Sequence, residues 1–408
     1  MATVRLKPGH VQPIWAGHPW VYAQAIDRVE GGATRGDEVS VLDPRGNFLG
    51  RGFYSAGSAI PVRLLVRDEK TPIDTAFFRA RLERAVAARA LLGLGTGGAP
   101  SEDGDRTTGY RLVHAEGDLL PGLIVDRFGD VLAVQFLTFG MKEREAMVLE
   151  ALGQVMKPRA IVDRTPPGTA KTEHFVPASG IVRGAIDVNR LDFFERGLAW
   201  SIPLDLGHKT GFYFDQRELR ARVEVLARTP EPGAKPKRVL DAYSYVGAFG
   251  LAAARAGAEV VCVDESALAI EIGAENARAN GLADRIRFER GDARRAMQDA
   301  HGAYDLTIVD PPRLAPKRSA REQALVMYAK LAELGCRATK PGGVLVLCSC
   351  SAAVDLAALT RALATGAVRA NVSALVVERA FQGADHPVPA AFGEGLYLKA
   401  VVARIEPR

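Results

Sequence analysis

The chain has 408 residues, 48% of them hydrophobic and 25% charged, with a formal net charge of +5 at pH 7. Those values exclude a disordered or fibrous polymer, and at roughly 150 residues per domain the length predicts two to three domains, three being the expectation here. The opening MATVRLKPGH lacks the apolar core of a signal peptide, and no apolar run approaches the ~18 residues that span a bilayer, so a cytoplasmic protein without a membrane partner is expected.

Residues 1–72 read as short strands broken by turns. GDEVSVLDPRGNFLGRGFYS alternates apolar and polar side chains around Arg45-Gly46, and AIPVRLLVRD closes a small β-barrel. A helix follows, with apolar positions expected at Phe78, Leu82, Ala85, Ala88 and Leu92. GLGTGGAPSEDGD then interrupts all periodicity and reads as a loop. Residues 73–190 are expected to form an α+β domain, with strands at YRLVHAEGDLLPGLIVDRFGDVLAVQFL, a helix at KEREAMVLEALGQVM and further strands at AIVDRT and GIVRGAIDVN.

From about residue 191 to 408, strands alternate with helices: RVLDAY, EVVCVDES, RIRFERGDA, YDLTIVDPP and GGVLVLCSCS each precede a helical stretch. This grammar predicts a mostly parallel sheet covered on both faces, closed by an antiparallel hairpin from SALVVERAF and EGLYLKAVVARI. In such sheets ligands bind beyond the carboxyl ends of the strands.

The first strand ends at Asp241 in the turn AYSYVGAFG, with Gly247 and Gly250 three apart. Ala242 and Tyr243 or Ser244 stand where a dinucleotide fingerprint wants glycine, which leaves little room for a pyrophosphate. A nucleoside without phosphates tolerates that turn, although the glycine pair also suits plain turn chemistry. Asp264 ends the second strand, 23 residues after Asp241, at the place of a ribose-binding carboxylate; helix capping is the competing role. Asp292, in RGDA, is placed to accept from an adenine amino group. Asp310 ends the fourth strand, and Pro311 and Pro312 stiffen the loop behind it for a flat base. Arg313, Lys317, Arg318 and Arg321 follow within nine residues, either as a solvated loop or as contacts for polynucleotide phosphates.

Together, HKTGFYFDQR, DAYSYVGAFG, DPP, CSCS and ADHPVPAAFGEGLYLK resemble the bacterial family of 23S ribosomal RNA cytosine carbon-5 methyltransferases that carry an N-terminal PUA domain, a branch of the class I S-adenosylmethionine-dependent enzymes. The resemblance implies a PUA β-barrel at 1–72, a middle α+β domain at 73–190 and a Rossmann-like methyltransferase domain at 191–408. It implies S-adenosyl-L-methionine as cofactor, no metal, and 23S ribosomal RNA or a large-subunit precursor as partner, with a homodimer left open. Lys209, Thr210, Phe214, Asp215 and Gln216 would border the cofactor pocket with Asp241, Tyr243, Ser244, Gly247, Asp264, Glu265, Asp292, Ala293 and Asp310. Pro311, Pro312, Arg313, Lys317, Arg318 and His386 are expected to bind the RNA substrate. Val246 departs from a threonine common in the family, and Arg313-Leu314 stands where lysine and phenylalanine are frequent.

Carbon 5 of cytosine is a poor nucleophile, so its methylation calls for a thiolate added at carbon 6. The four cysteines, Cys262, Cys336, Cys348 and Cys350, are too few and too irregularly spaced for a disulfide framework or zinc site. Cys350, followed by Ser351 and lying beyond the apolar run, is expected to be the nucleophile; Cys348, on the face of Val344 and Val346, is expected in the core, as is Cys262. Asp310 is expected to hydrogen-bond the reacting ring. Arg313 stands where some RNA cytosine methyltransferases hold a second cysteine for product release, and His386 is a second candidate proton acceptor. Nine Lys and Arg against seven Asp and Glu give residues 1–72 only +2, so shape and stacking must assist charge in holding RNA. Three alternatives remain at this point: a uracil carbon-5 enzyme, although CSCSAA lacks the usual Asn-Pro after the cysteine; a guanine N2 enzyme; and an RNA-binding protein without catalysis.

Overall fold

The computed structural model describes residues 1–95, 106–186, 189–204, 206, 210–229, 233–315 and 317–408. Most of the loop expected at GLGTGGAPSEDGD, and Lys209, lie outside the described residues. The chain divides into two compact units, residues 1–214 with 384–395, and residues 215–383 with 396–408.

The first unit begins with a six-stranded sheet built from Ala2–Leu6, Trp20–Val21, Ile26–Glu30, Glu38–Leu42, Phe48–Tyr54 and Val62–Val66. Alternation sends Val4, Leu6, Val39, Val41, Val62 and Leu64 into one core. A five-stranded sheet follows, from Gly109–His114, Leu123–Phe128, Val131–Phe136, Ala160–Asp163 and Gly180–Gly184. The helices Thr75–Leu91 and Glu145–Met156 pack on it through Phe78, Leu82, Ala85, Val148, Ala151 and Leu152. The expected apolar stripe of the first helix stops at Ala85. Ala88 and Leu92 face solvent, and the next turn of the buried face is Arg89, 1% exposed. Its guanidinium grips both carboxylate oxygens of Asp118, at 2.5 and 2.7 Å, and the carbonyls of Arg111 and Asp385. A buried cation is tolerated only when its donors are met in this way.

The hairpin Arg190–Glu195/Leu198–Pro203 belongs to this unit, where Phe193 packs among Phe128, Trp200, Phe212 and Phe214. Residues 384–395 join it as well. Asp385 accepts from the Arg111 backbone N–H at 2.9 Å, and the Phe392 ring lies 4.5 Å from that of Trp20.

The second unit is an open sheet of seven strands: β1 (Arg238–Ala242), β2 (Glu259–Asp264), β3 (Ile286–Arg290), β4 (Tyr304–Val309), β5 (Thr339–Ser349), β6 (Val372–Phe381) and β7 (Lys399–Pro407). Their spatial order is β3-β2-β1-β4-β5-β7-β6, and all neighbours are parallel except β7, which runs against both β5 and β6. The hairpin expected at the sheet edge is thus present, with β7 inserted between β5 and β6. Helices α1 (Arg217–Ala227), α2 (Ala248–Arg255), α3 (Ala267–Ala279), α4 (Ala293–Asp299), α5 (Arg321–Ala338) and α6 (Leu356–Arg369) cover the sheet. One core joins Leu345 and Leu347 of β5 to Leu331 and Leu334 of α5 and Leu359 and Leu363 of α6. The order of strands reverses between β1 and β4, so the loops leaving these two strands diverge and open a crevice at their carboxyl ends. Among the described residues, no helix is long and apolar enough to cross a membrane.

Candidate active site at the carboxyl ends of the parallel strands

Asp241 lies inside β1 and is fully buried. Its Oδ2 accepts from the backbone N–H of Gly250 at 2.9 Å and faces the Cys262 thiol at 3.8 Å, while Oδ1 is buried without a hydrogen-bond partner. Burial chiefly, helped by the charges of Asp310 and Asp264, pushes this carboxyl up to about 8.

The turn after β1 is tightly wound. Tyr243 and Tyr245 both adopt positive φ, 63° and 51°, as does Gly247 at 74°. Strain of this kind in non-glycine residues persists only where the surroundings hold it. Asp264 supplies part of that hold: its Oδ2 accepts from Tyr245 N–H at 2.8 Å, and its Oδ1 from Ser266 N–H at 2.9 Å. Capping of α3 falls to Ser266, whose hydroxyl accepts from Ala269 N–H. Asp264 therefore pins the turn rather than the helix. The glycines have a packing role in addition to any ligand: a Cβ on Gly247 would come within 2.6 Å of the Phe288 ring, and one on Gly250 would collide with Cys262 Sγ.

Asp292 takes the capping role at α4. It accepts from Arg294 N–H at 2.8 Å and forms an ion pair with the same residue's guanidinium at 2.8 Å, which holds its carboxyl below the usual range. The carboxylate expected to read an adenine amino group is thus engaged by Arg294 on both oxygens. Tyr243, half-buried, is raised to about 12 by burial, with Arg294, Asp292 and Glu265 as its charged neighbours. Ala293 is buried and Glu265 exposed. Ser244 is buried, its backbone N–H bonded to Val263 O at 2.9 Å.

Asp310 follows β4 directly and is half-buried, and its Oδ2 accepts from Gln216 Nε2 at 2.7 Å. Asp215, beside it in the chain, accepts from the Tyr397 hydroxyl at 2.6 Å and from the Gly383 N–H at 2.8 Å. Pro311 is buried, whereas Pro312, Arg313 and Lys317 are exposed; the side chain of Arg318 lies outside the described residues.

Cys350 follows β5 directly and is half-buried, while Cys348, Ser349 and Ser351 are 0% exposed. Burial drives the Cys348 thiol well above its ordinary value, and that of Cys262 likewise. Ser351 ties the two loops together: its Oγ accepts from Ala315 N–H at 3.1 Å, in the loop that carries Asp310, Pro311 and Pro312. Its carbonyl accepts from Lys399 Nζ at 3.0 Å. Sequence reasoning assigned no role to Tyr397 or Lys399. Both fall in EGLYLK, at the end of the ADHPVPAAFGEGLYLK segment, which carries the family resemblance without assigning either side chain a role.

Three of the expected residues belong to the other compact unit. Thr210 is buried against Asp126, to which its hydroxyl donates; Phe214 sits in the aromatic cluster; and His386, 2% exposed, has Nδ1 2.9 Å from Asp385 and its ring 4.8 Å from that of His114.

Three carboxylates at the strand ends, a strained turn after β1 and a strand order of β3-β2-β1-β4-β5-β7-β6 belong to the class I methyltransferase fold. The residues fit a cationic nucleoside donor. Asp264 and Asp310 supply carboxylates that favour a cationic donor, and Asp241, whose carboxyl burial holds mostly protonated near neutral pH, keeps Oδ1 buried without a hydrogen-bond partner.

Comparisons with known proteins agree. A family model for a PUA-like domain matches residues 4–67, and one for S-adenosylmethionine-dependent methyltransferases matches residues 112–399. The protein called Ribosomal RNA large subunit methyltransferase I of Shewanella denitrificans is 36% identical over 408 residues, 98% of this chain and 99% of that one. Its namesake in Tolumonas auensis is 34% identical over the same shares. A solved SAM-dependent methyltransferase from Streptococcus mutans shares the fold, with a TM-score of 0.80 over 99% of this chain and 100% of that one at 19% identity. A methyltransferase solved in complex with SAH gives 0.81 over the same shares, also at 19% identity. The chain belongs to the family of S-adenosylmethionine-dependent methyltransferases, here joined to a PUA-like domain.

Proposed function

We propose that this chain methylates carbon 5 of a cytosine in 23S ribosomal RNA through a transient thioether to Cys350. Residues 1–72, 73–190 and 191–408 would serve as its RNA-holding, middle and catalytic parts. The large-subunit ribosomal RNA substrate is supported by the full-length relatives named for it and by the PUA-like domain. The observation that carries the chemistry is the contrast at the end of β5: Cys348 is sealed in the core, and Cys350, two residues on, reaches solvent beside the loop of Asp310.

The residues act as follows. The Cys350 sulfur forms a bond to carbon 6 of the base, the C5=C6 electron pair spreads over carbon 5, carbon 4 and N3, and the proton given up by the thiol is balanced by one taken up at N3. Asp310, held by Gln216, accepts a hydrogen bond from N3–H or the exocyclic amino group. S-Adenosylmethionine, when bound, supplies an electrophilic methyl group on a sulfonium for the carbon 5 so activated. Loss of the carbon 5 proton to water then re-forms C5=C6 and returns the C6–S electron pair to Cys350, and the proton taken up at N3 is given back to solvent, leaving neutral 5-methylcytosine. Pro311 and Pro312 keep the loop extended while a base is unstacked into the crevice, a cost of a few kcal/mol in such enzymes.

The test is mass spectrometry of 23S RNA nucleosides after incubation with the protein and isotopically labelled donor. Label in 5-methylcytidine, absent with Cys350→Ser, is expected. Label on uridine or guanosine overturns the assignment.

A further inference from the structure

Lys399 opens β7 directly opposite Ser349, the last residue of β5. It is 3% exposed, and its Nζ donates to the carbonyl of Ser351 at 3.0 Å. The lysine thus touches the residue after Cys350 and pairs with the residue before it. Burying an ammonium is costly unless an anion compensates, and burial accordingly pulls this one down to about 8.

Among the described residues, three charged or ionisable groups act on it. Cys350 and Asp355 favour the ammonium and Arg313 opposes it. Asp310 from the end of β4 and Tyr328 from α5 act on the same pocket, since Tyr328 is raised to about 12 by burial with Cys350 and Asp310 adding to the shift. Asp355 is already committed: it caps α6 through Ala358 N–H at 2.7 Å and pairs with Arg321 at 3.4 Å, with 64% of its side chain exposed. Tyr328 is neutral at physiological pH. Asp310 accepts from Gln216 and is not among the charges that act on Lys399, so of the described groups that do act on it, the Cys350 thiol is the one left whose anion a buried cation could serve.

We propose that Lys399 is a positioning residue for Cys350: its ammonium, fixed by the Ser351 carbonyl, holds the thiolate in its charged form and so activates the sulfur for attack. The inference rests on the nucleophile assigned above and adds the group that ionises it. Thiol and amine titrate as a pair, so that removing the cation raises the pH at which the thiolate forms.

Iodoacetamide alkylation of the full-length protein, without RNA, reads this directly, because Cys262, Cys336 and Cys348 are each at most 1% exposed and peptide mapping isolates Cys350. Lys399→Met should move the alkylation midpoint of Cys350 up by about one pH unit or more, a roughly tenfold loss of rate near pH 7. Lys399→Arg, which keeps the charge, should leave the midpoint at or below that of wild type. Donor binding by calorimetry reports whether each variant is folded. An unshifted midpoint in folded Lys399→Met overturns the proposal. Should that variant fail to fold, an upward shift in Lys399→Arg overturns it instead and an unshifted midpoint supports it. The cytosine reading fails separately: a shifted midpoint with no 5-methylcytidine in RNA leaves the ion pair standing and removes only the product.

Discussion

The Nε2 of Gln216 donates to Oδ2 of Asp310 at 2.7 Å across 94 residues of sequence, joining the entrance of α1 to the end of β4. Gln216 is 7% exposed, so this amide is part of the wall of the crevice and sets where the carboxylate points. Gln216→Met should lower the melting temperature by a few degrees, since it removes a hydrogen bond to a charged group worth about 1.5–3 kcal/mol of stability, and should lower kcat/KM for RNA methylation by the folded protein on the order of tenfold. Wild-type turnover in single-turnover assays would remove Asp310 orientation from the mechanism.

The raised pKa of Asp241 makes stability depend on pH. The folded carboxyl titrates at about 8 and the unfolded one at its ordinary 3.8, so the native state holds more protons between those values, and stability is full below about 4 and falls as pH rises to about 8. Asp241→Asn should flatten that decline in thermal melts of the donor-free protein. The same variant should bind S-adenosylmethionine more weakly than wild type in calorimetry at pH 8.5, where the native carboxylate is charged. Parallel melting curves from pH 5 to 9 would contradict the burial argument.

Gly250→Ala forces a methyl group into Cys262 Sγ, with Ile286 Cδ1 only 3.1 Å away. Overpacking of this kind costs about 1–3 kcal/mol. Cys262→Ala alone should cost about 1–2 kcal/mol for the small cavity it leaves, and the double variant should be less destabilised than the sum of the two, giving a favourable coupling in a denaturant cycle. Strict additivity would mean that α2 moves away from β2 instead.

The two cysteines at the end of β5 should separate function from stability. Cys348→Ala opens a small cavity and should lower stability by about 1–2 kcal/mol while RNA bearing 5-fluorocytidine is still captured. Cys350→Ala should melt as wild type and capture none. Peptide mapping of the adduct decides between them, and attachment at Cys348 would reverse the roles.

Much of the second unit is legible from local pattern. Period-two alternation through GGVLVLCSCS places Cys348 with the core residues and leaves Cys350 past the strand end, and the structure places them so. The acidic strand ends Asp241, Asp264 and Asp310 follow from strand–helix grammar in the same way. The stripe of the helix Thr75–Leu91 was legible only in part, because Ala88 and Leu92 satisfy a hydrophobic pattern as well as Arg89 fails it. What buries Arg89 is Asp118, 29 residues on, together with the carbonyl of Asp385, 296 residues on.

The sequence by itself determined which segments become strands and helices and which side chains stand at the strand ends, since backbone periodicity and turn chemistry act over a few residues. Only the tertiary structure decided which of those groups hold one another. Gln216 on Asp310, Tyr397 on Asp215 and Lys399 on the Ser351 carbonyl join residues 94, 182 and 48 positions apart in sequence. Such pairs arise from strand order and crossover, which place distant residues side by side, and desolvation then sets their charges. Neither effect leaves a mark in the local sequence.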